Sequence, residues 1–130
     1  MKGQAFLSLV FLIGGIVILI AVTLAFLVNS FIDTGYGYQA LTQAEGVASS
    51  GAEDALLQID RGVFTSNTSY SVPVGSNTAS VTVTLASPST GYDTILSSAT
   101  VSNRTRKVNV IVAVNASTSQ ASVVSWTDVQ

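Results

Sequence analysis

Residues 5–28 read AFLSLVFLIGGIVILIAVTLAFLV, a run without charge in which the only polar side chains are the hydroxyls of Ser8 and Thr23. Wound as an α-helix at about 1.5 Å per residue, it measures about 36 Å, against a hydrocarbon thickness of about 30 Å. Leaving a large apolar side chain in water costs about 1.5–3 kcal/mol. For Phe6, Leu9, Leu12, Ile13, Ile16, Leu19, Ile20, Leu24, Leu27 and their neighbours that cost reaches tens of kcal/mol. The segment therefore requires lipid or a bundle of similar helices around it, and everything downstream reads as cargo or partner of that helix.

Charge sets an expected orientation. Lys2 and the amino terminus precede the run and the first charge after it is Asp33, so the positive flank is expected to stay cytoplasmic and the C-terminal part to lie outside. A secretory signal peptide is the competing reading, but its apolar region spans only about 7–15 residues and ends at a small-residue cleavage site. Nothing of that kind comes directly after Val28.

The chain has 130 residues, and the part beyond the apolar run has room for one small domain. Charged residues make up 9% and the net charge is −2, which leaves no track of cations for a nucleic-acid backbone. Serine and threonine supply about a quarter of the residues, as in a surface protein whose strands show hydroxyls to water and β-branched groups to a core.

Between residues 29 and 60 the pattern remains helical but turns amphipathic. Tyr38, Leu41, Ala48, Ala52, Ala55 and Ile59 recur at spacings of three, four or seven, a stripe suited to packing on a sheet. Gly14 and Gly15 interrupt the apolar half as either a packing notch or a point of local melting. Gly35 and Gly37 weaken the junction of the two halves, and Arg61-Gly62 supplies a cation and a glycine stop. Period-two runs then predict strands at 69–74, 78–85, 94–102, 105–115 and 121–129. Val81, Val83 and Leu85, and Val108, Val110, Val112 and Val114, are expected to face the helix. Short turn-rich joints at 75–77, 87–91, 103–104 and 116–119 predict an antiparallel meander. The organisation is thus 1–3, a leader; 4–32, an apolar helix; 33–61, its amphipathic continuation; and 62–130, a sheet domain that closes its own core. The fold class is α+β.

Histidine and cysteine are absent, which removes the commonest general base, the thiol nucleophile and most transition-metal ligands. No catalytic residue, cofactor or metal site is expected, and the chain does not read as an enzyme. Glu53 and Asp54 are adjacent on a helix, hence about 100° apart, and read as a solvated face rather than a dyad. Arg104 and Arg106 share a strand face near a hairpin, with Lys107 beside them, and read as solvated or as a subunit contact. Trp126, on the terminal strand, is expected to complete a core rather than stand exposed. Asn67, Asn103 and Asn115 open Asn-x-Ser/Thr sequons and are possible glycosylation positions.

A short leader ending Lys2-Gly3, an apolar helix starting almost at once, an amphipathic continuation and a C-terminal antiparallel sheet together resemble a type IV pilin or pseudopilin. The segments Gln43-Ala44-Glu45 and Ala52-Glu53-Asp54-Ala55-Leu56 are similar to those of PilX-like pilins, and the Ser/Thr-rich domain to pilins of small-genome bacteria; Lys-Gly before Gln is also similar to archaeal pilins. The resemblance implies cleavage by a prepilin peptidase between Gly3 and Gln4, methylation of the new amino terminus, and a precursor held in the cytoplasmic membrane. Pilus assembly machinery would then build a homo-oligomeric helical filament through the apolar helix, with adhesion or motility as its role. The chain departs from the family where a glutamate usually stands at the fifth mature position, here Ser8. The alternatives are a single-pass membrane-anchored protein displaying a small binding domain, or a secretion-system pseudopilin.

Overall fold

A computed structural model describes residues 2–129, with the side chain of Lys2 outside the description. The leader's Met1 and the Lys2 charge used for orientation therefore fall outside the described residues. One helix, α1 (Lys2–Asp60), is followed by β1 (Thr68–Val74), β2 (Asn77–Thr84), β3 (Tyr92–Val101), β4 (Arg104–Val114) and β5 (Ala121–Val129). The chain divides into two compact units, residues 1–36 and 37–130. The division falls among the glycines at 35 and 37, where helix propensity is lowest between the two halves.

In the first unit the backbone stays helical through Gly14 and Gly15, and a Cβ at either would meet open space. In the second unit the strands form a single antiparallel sheet in the order β1-β2-β3-β4-β5. The turns explain this meander. Gly75 has positive φ at the first position of a two-residue turn, while Ser102 and Asn103 both have positive φ, the pattern of a I′ turn that matches strand twist. Asn103 is thus in the turn and Arg104 opens β4, one residue earlier than the sequence pattern placed that joint.

Alternation along the strands puts Val81, Val83, Ile95, Val108, Val110 and Val112 in a fully buried layer. Leu85 and Val114 border it, and Val47, Ala48, Ala52, Ala55 and Ile59 of α1 close it. A smaller cluster of Ala40, Ala44 and Val101 extends it. The helix comes close to the sheet at Gly51, where an added Cβ would lie 2.6 Å from Ser97 Oγ and 2.7 Å from Ala79 Cβ. The end of α1 is a Schellman motif: Gly62, at φ 65°, donates its N–H to Ile59 O at 2.9 Å, and Val63 N–H reaches Gln58 O at 3.0 Å.

Three expectations need correction. Tyr38 is 75% exposed and does not belong to the buried stripe. The stripe's centre rotates along α1, from Ala40, Ala44 and Val47 to Ala52, Ala55 and Ile59, and a straight extension from its C-terminal half lands on the wrong side at Tyr38. Trp126 is 40% exposed; it pairs with Val110 on an edge strand that has no neighbour beyond it. Asp54 is half-buried rather than solvated, because the β1 side of the sheet brings Tyr70 to it.

Candidate functional site

The surface with the most evident work to do is the first half of α1. Phe6, Leu9, Leu12, Ile13, Ile16, Leu19, Ile20, Leu24 and Leu27 are all exposed and share one broad side of the helix at spacings of three and four, while Leu7, Val10, Phe11, Val17, Ile18, Val22, Phe26 and Val28, exposed as well, cover the rest of its circumference. The helix is long and apolar enough to cross a membrane by length and composition. Its two hydroxyls do not interrupt that surface, since Ser8 Oγ donates to Gln4 O at 3.0 Å and Thr23 Oγ1 to Leu19 O at 2.7 Å. With the backbone paired within the helix and both hydroxyl protons taken by carbonyls one turn earlier, no donor has to be stripped of water unpaired. Gly3 and Gln4 lie in the first turns of α1, and both are exposed.

Residues 37–130 carry polar groups of three kinds. The first is a small half-buried network: Asp54 Oδ2 accepts from Tyr70 Oη at 3.0 Å and from Gln58 Nε2 at 2.6 Å. Burial, then the hydrogen bond to Asp54 and that residue's negative charge, hold the Tyr70 phenol well above its ordinary value. This network fastens β1 to α1, and the apolar spacing of the stripe gives no hint of it. The four-residue spacing of Asp54 and Gln58 was the available signal.

The second kind is the sequon asparagines, all exposed. Asn67 Oδ1 accepts from Leu85 N at 2.9 Å, Asn115 Oδ1 accepts from the N–H and hydroxyl of Ser117, and Asn103 occupies the β3–β4 turn. The third kind is cationic. Arg104 is exposed and Arg106 half-buried; their partners in register are Val101 and Ala99, both core residues, so the two arginines share the helix side of the sheet. Lys107 lies on the opposite face, across from Ser98.

Among the described residues no group of three or more His, Cys, Asp or Glu side chains is placed to hold a metal ion. A crevice lined by Ile59, Phe64, Leu85, Val114 and Asp93 opens beside the end of α1. Its one carboxylate accepts the Ala86 N–H at 2.9 Å. Compared with known proteins, the chain matches no family model, no curated protein and no solved structure.

Proposed function

We propose that this chain is a structural subunit of a type IV pilus-like extracellular filament, held in the cytoplasmic membrane as a precursor with its amino terminus inside. After cleavage between Gly3 and Gln4 it polymerises through residues 4–32. The observation that carries the reading is a helix clothed in large apolar side chains on all sides that continues, without a linker, into a helix whose small-residue stripe is committed to a sheet. A plain anchor needs the first part; it does not need the second to follow in the same helix. In the assembled state the apolar surfaces of neighbouring copies replace lipid, and the sheet domains face outward. The role is architectural, with adhesion or motility as its outlet, and no catalysis.

One observation favours the membrane-anchor alternative. Ser8 stands where the resembling family has a carboxylate, and a serine cannot neutralise a neighbouring ammonium; here its proton is already given to Gln4 O. Electron microscopy of material sheared from cells that express the chain, with intact-mass analysis of the same material, separates the two. Filaments whose subunit begins at Gln4 are expected. A chain that stays wholly in the membrane fraction, with no filaments shed, replaces the filament with the anchor.

A further inference from the structure

Arg104 and Arg106 project from the β3–β4 hairpin on the helix side of the sheet, at the end where residues 37–130 begin. A Cβ built on Gly37 would lie 3.4 Å from a terminal guanidinium nitrogen of Arg104, so that side chain rests on the first residue of the unit. Arg106 has its Nε shut away from solvent with no hydrogen-bond partner. The domain's hydrogen-bonded carboxylates, Asp54, Asp60 and Asp93, are held by neutral groups. Along the chain Gly37 is five residues past Ile32, the last residue of the apolar helix 4–32, which limits their separation to about 18 Å of extended backbone whatever its conformation. The tyrosines in this stretch, Tyr36 and Tyr38, are 69% and 75% exposed, as in the aromatic belts at membrane–water boundaries.

The geometry points to the β3–β4 hairpin, through Arg104 and Arg106, as a contact for the phosphates of an anionic lipid surface in the membrane-bound precursor. This rests on residues 5–32 spanning the membrane in the precursor, as proposed for the filament subunit. Guanidinium forks suit phosphate because they donate in a plane and are weakly hydrated, and Lys107 adds to the same field from the other face. Asp128, in register with Val108 on the neighbouring strand, opposes it with a single negative charge. A lipid surface is preferred over a second copy as the occupant because the covalent tether sets an upper bound on its distance from Gly37, on which Arg104 rests, in every inserted molecule.

The chain has no cysteine, so Ser102→Cys gives a single attachment point for a fluorophore in the full chain. The labelled protein is reconstituted into vesicles of phosphatidylcholine alone or with added phosphatidylglycerol, each with a trace of headgroup-attached quencher. Quenching is expected to be several-fold stronger with phosphatidylglycerol, bounded by roughly fivefold per cation. It should fall to the phosphatidylcholine level in the Arg104→Gln, Arg106→Gln double variant and, with the native arginines, at about 1 M salt. A label at Ser117→Cys, at the far end of the sheet, should not respond.

Equal quenching in both lipids overturns the proposal. So does quenching that follows protein density rather than phosphatidylglycerol, which assigns the arginines to a second copy. A chain that alkaline carbonate strips from both vesicles overturns the membrane reading as well.

Discussion

The two halves of α1 are built from opposite choices of side-chain size. In the first half Leu, Ile, Val and Phe surround the axis and stand exposed; in the second, Ala40, Ala44, Ala48, Gly51, Ala52 and Ala55 line the buried side. Large residues on all sides create a surface that any apolar medium can cover and that no single partner inside the chain could satisfy. Small residues on one side create a surface of little apolar area, useful only to a partner that comes very near. The first half therefore leaves its environment to be supplied from outside. The second has its environment fixed within residues 37–130, at a separation that leaves no room for a Cβ at position 51.

That contrast can be attacked from either side. The largest effect is expected from Ile16→Lys, which adds about 2.5–3.5 kcal/mol to membrane insertion and, in the proposed filament, would repeat a buried charge in every subunit. Filament yield should fall to nothing while the melting of residues 37–130 stays unchanged. Membrane-integrated precursor is measured alongside, and normal integration with wild-type filament yield would show that residues 5–28 are not packed in a core.

Next comes a paired substitution. Gly51→Val meets Ser97 and Ala79 far inside contact distance and should destabilise the domain by about 1–3 kcal/mol through overpacking. Gly15→Val, with open space around it, should leave the thermal unfolding of the domain where it was. Equal effects at the two glycines would erase the distinction between the halves.

The smallest effect concerns the fastening of β1. Tyr70→Phe removes the hydroxyl from Asp54 and should cost about 1 kcal/mol, read by denaturant unfolding near neutral pH. Because the folded state favours the neutral phenol, its raised value makes the contribution complete below the unfolded-state value near about 10. It is lost as pH climbs from there through the folded-state value. Wild-type stability should therefore decline in the alkaline range more steeply than that of the Phe variant; parallel declines would remove Tyr70 from the network.

Much of the fold was legible because it depends on pattern. Period-two runs located all five strands to within about two residues, and glycine at 62 marked the helix stop. What escaped was set by distance rather than pattern. Alanine and glycine carry too little hydrophobic signal to show that the buried side of α1 rotates, so the bulky Tyr38 was drawn into a stripe it does not share. The exposure of Trp126 follows from β5 lying at the sheet's edge, a matter of strand order that its own residues do not encode. Of the candidate site, the apolar segment is plain in the sequence. The seating of Arg104 on Gly37 joins residues 67 positions apart and becomes visible only with the register of β4.

The face of the sheet turned away from α1 is dressed mainly in hydroxyls. Several are paired with one another, as in Ser69 with Thr82 at 3.0 Å and Thr100 with Thr105 at 2.8 Å. Across the rows of β2 and β3 the outward positions are Thr78, Ser80, Thr82, Thr84, Tyr92, Thr94, Ser98 and Thr100, broken by Leu96, and in β4 Lys107 brings the face its formal charge. Such a coat stays wetted through neutral hydration rather than ionic repulsion. Its colloidal behaviour should accordingly be nearly indifferent to acidity and to dilute electrolyte, and should yield instead to solutes that compete for water.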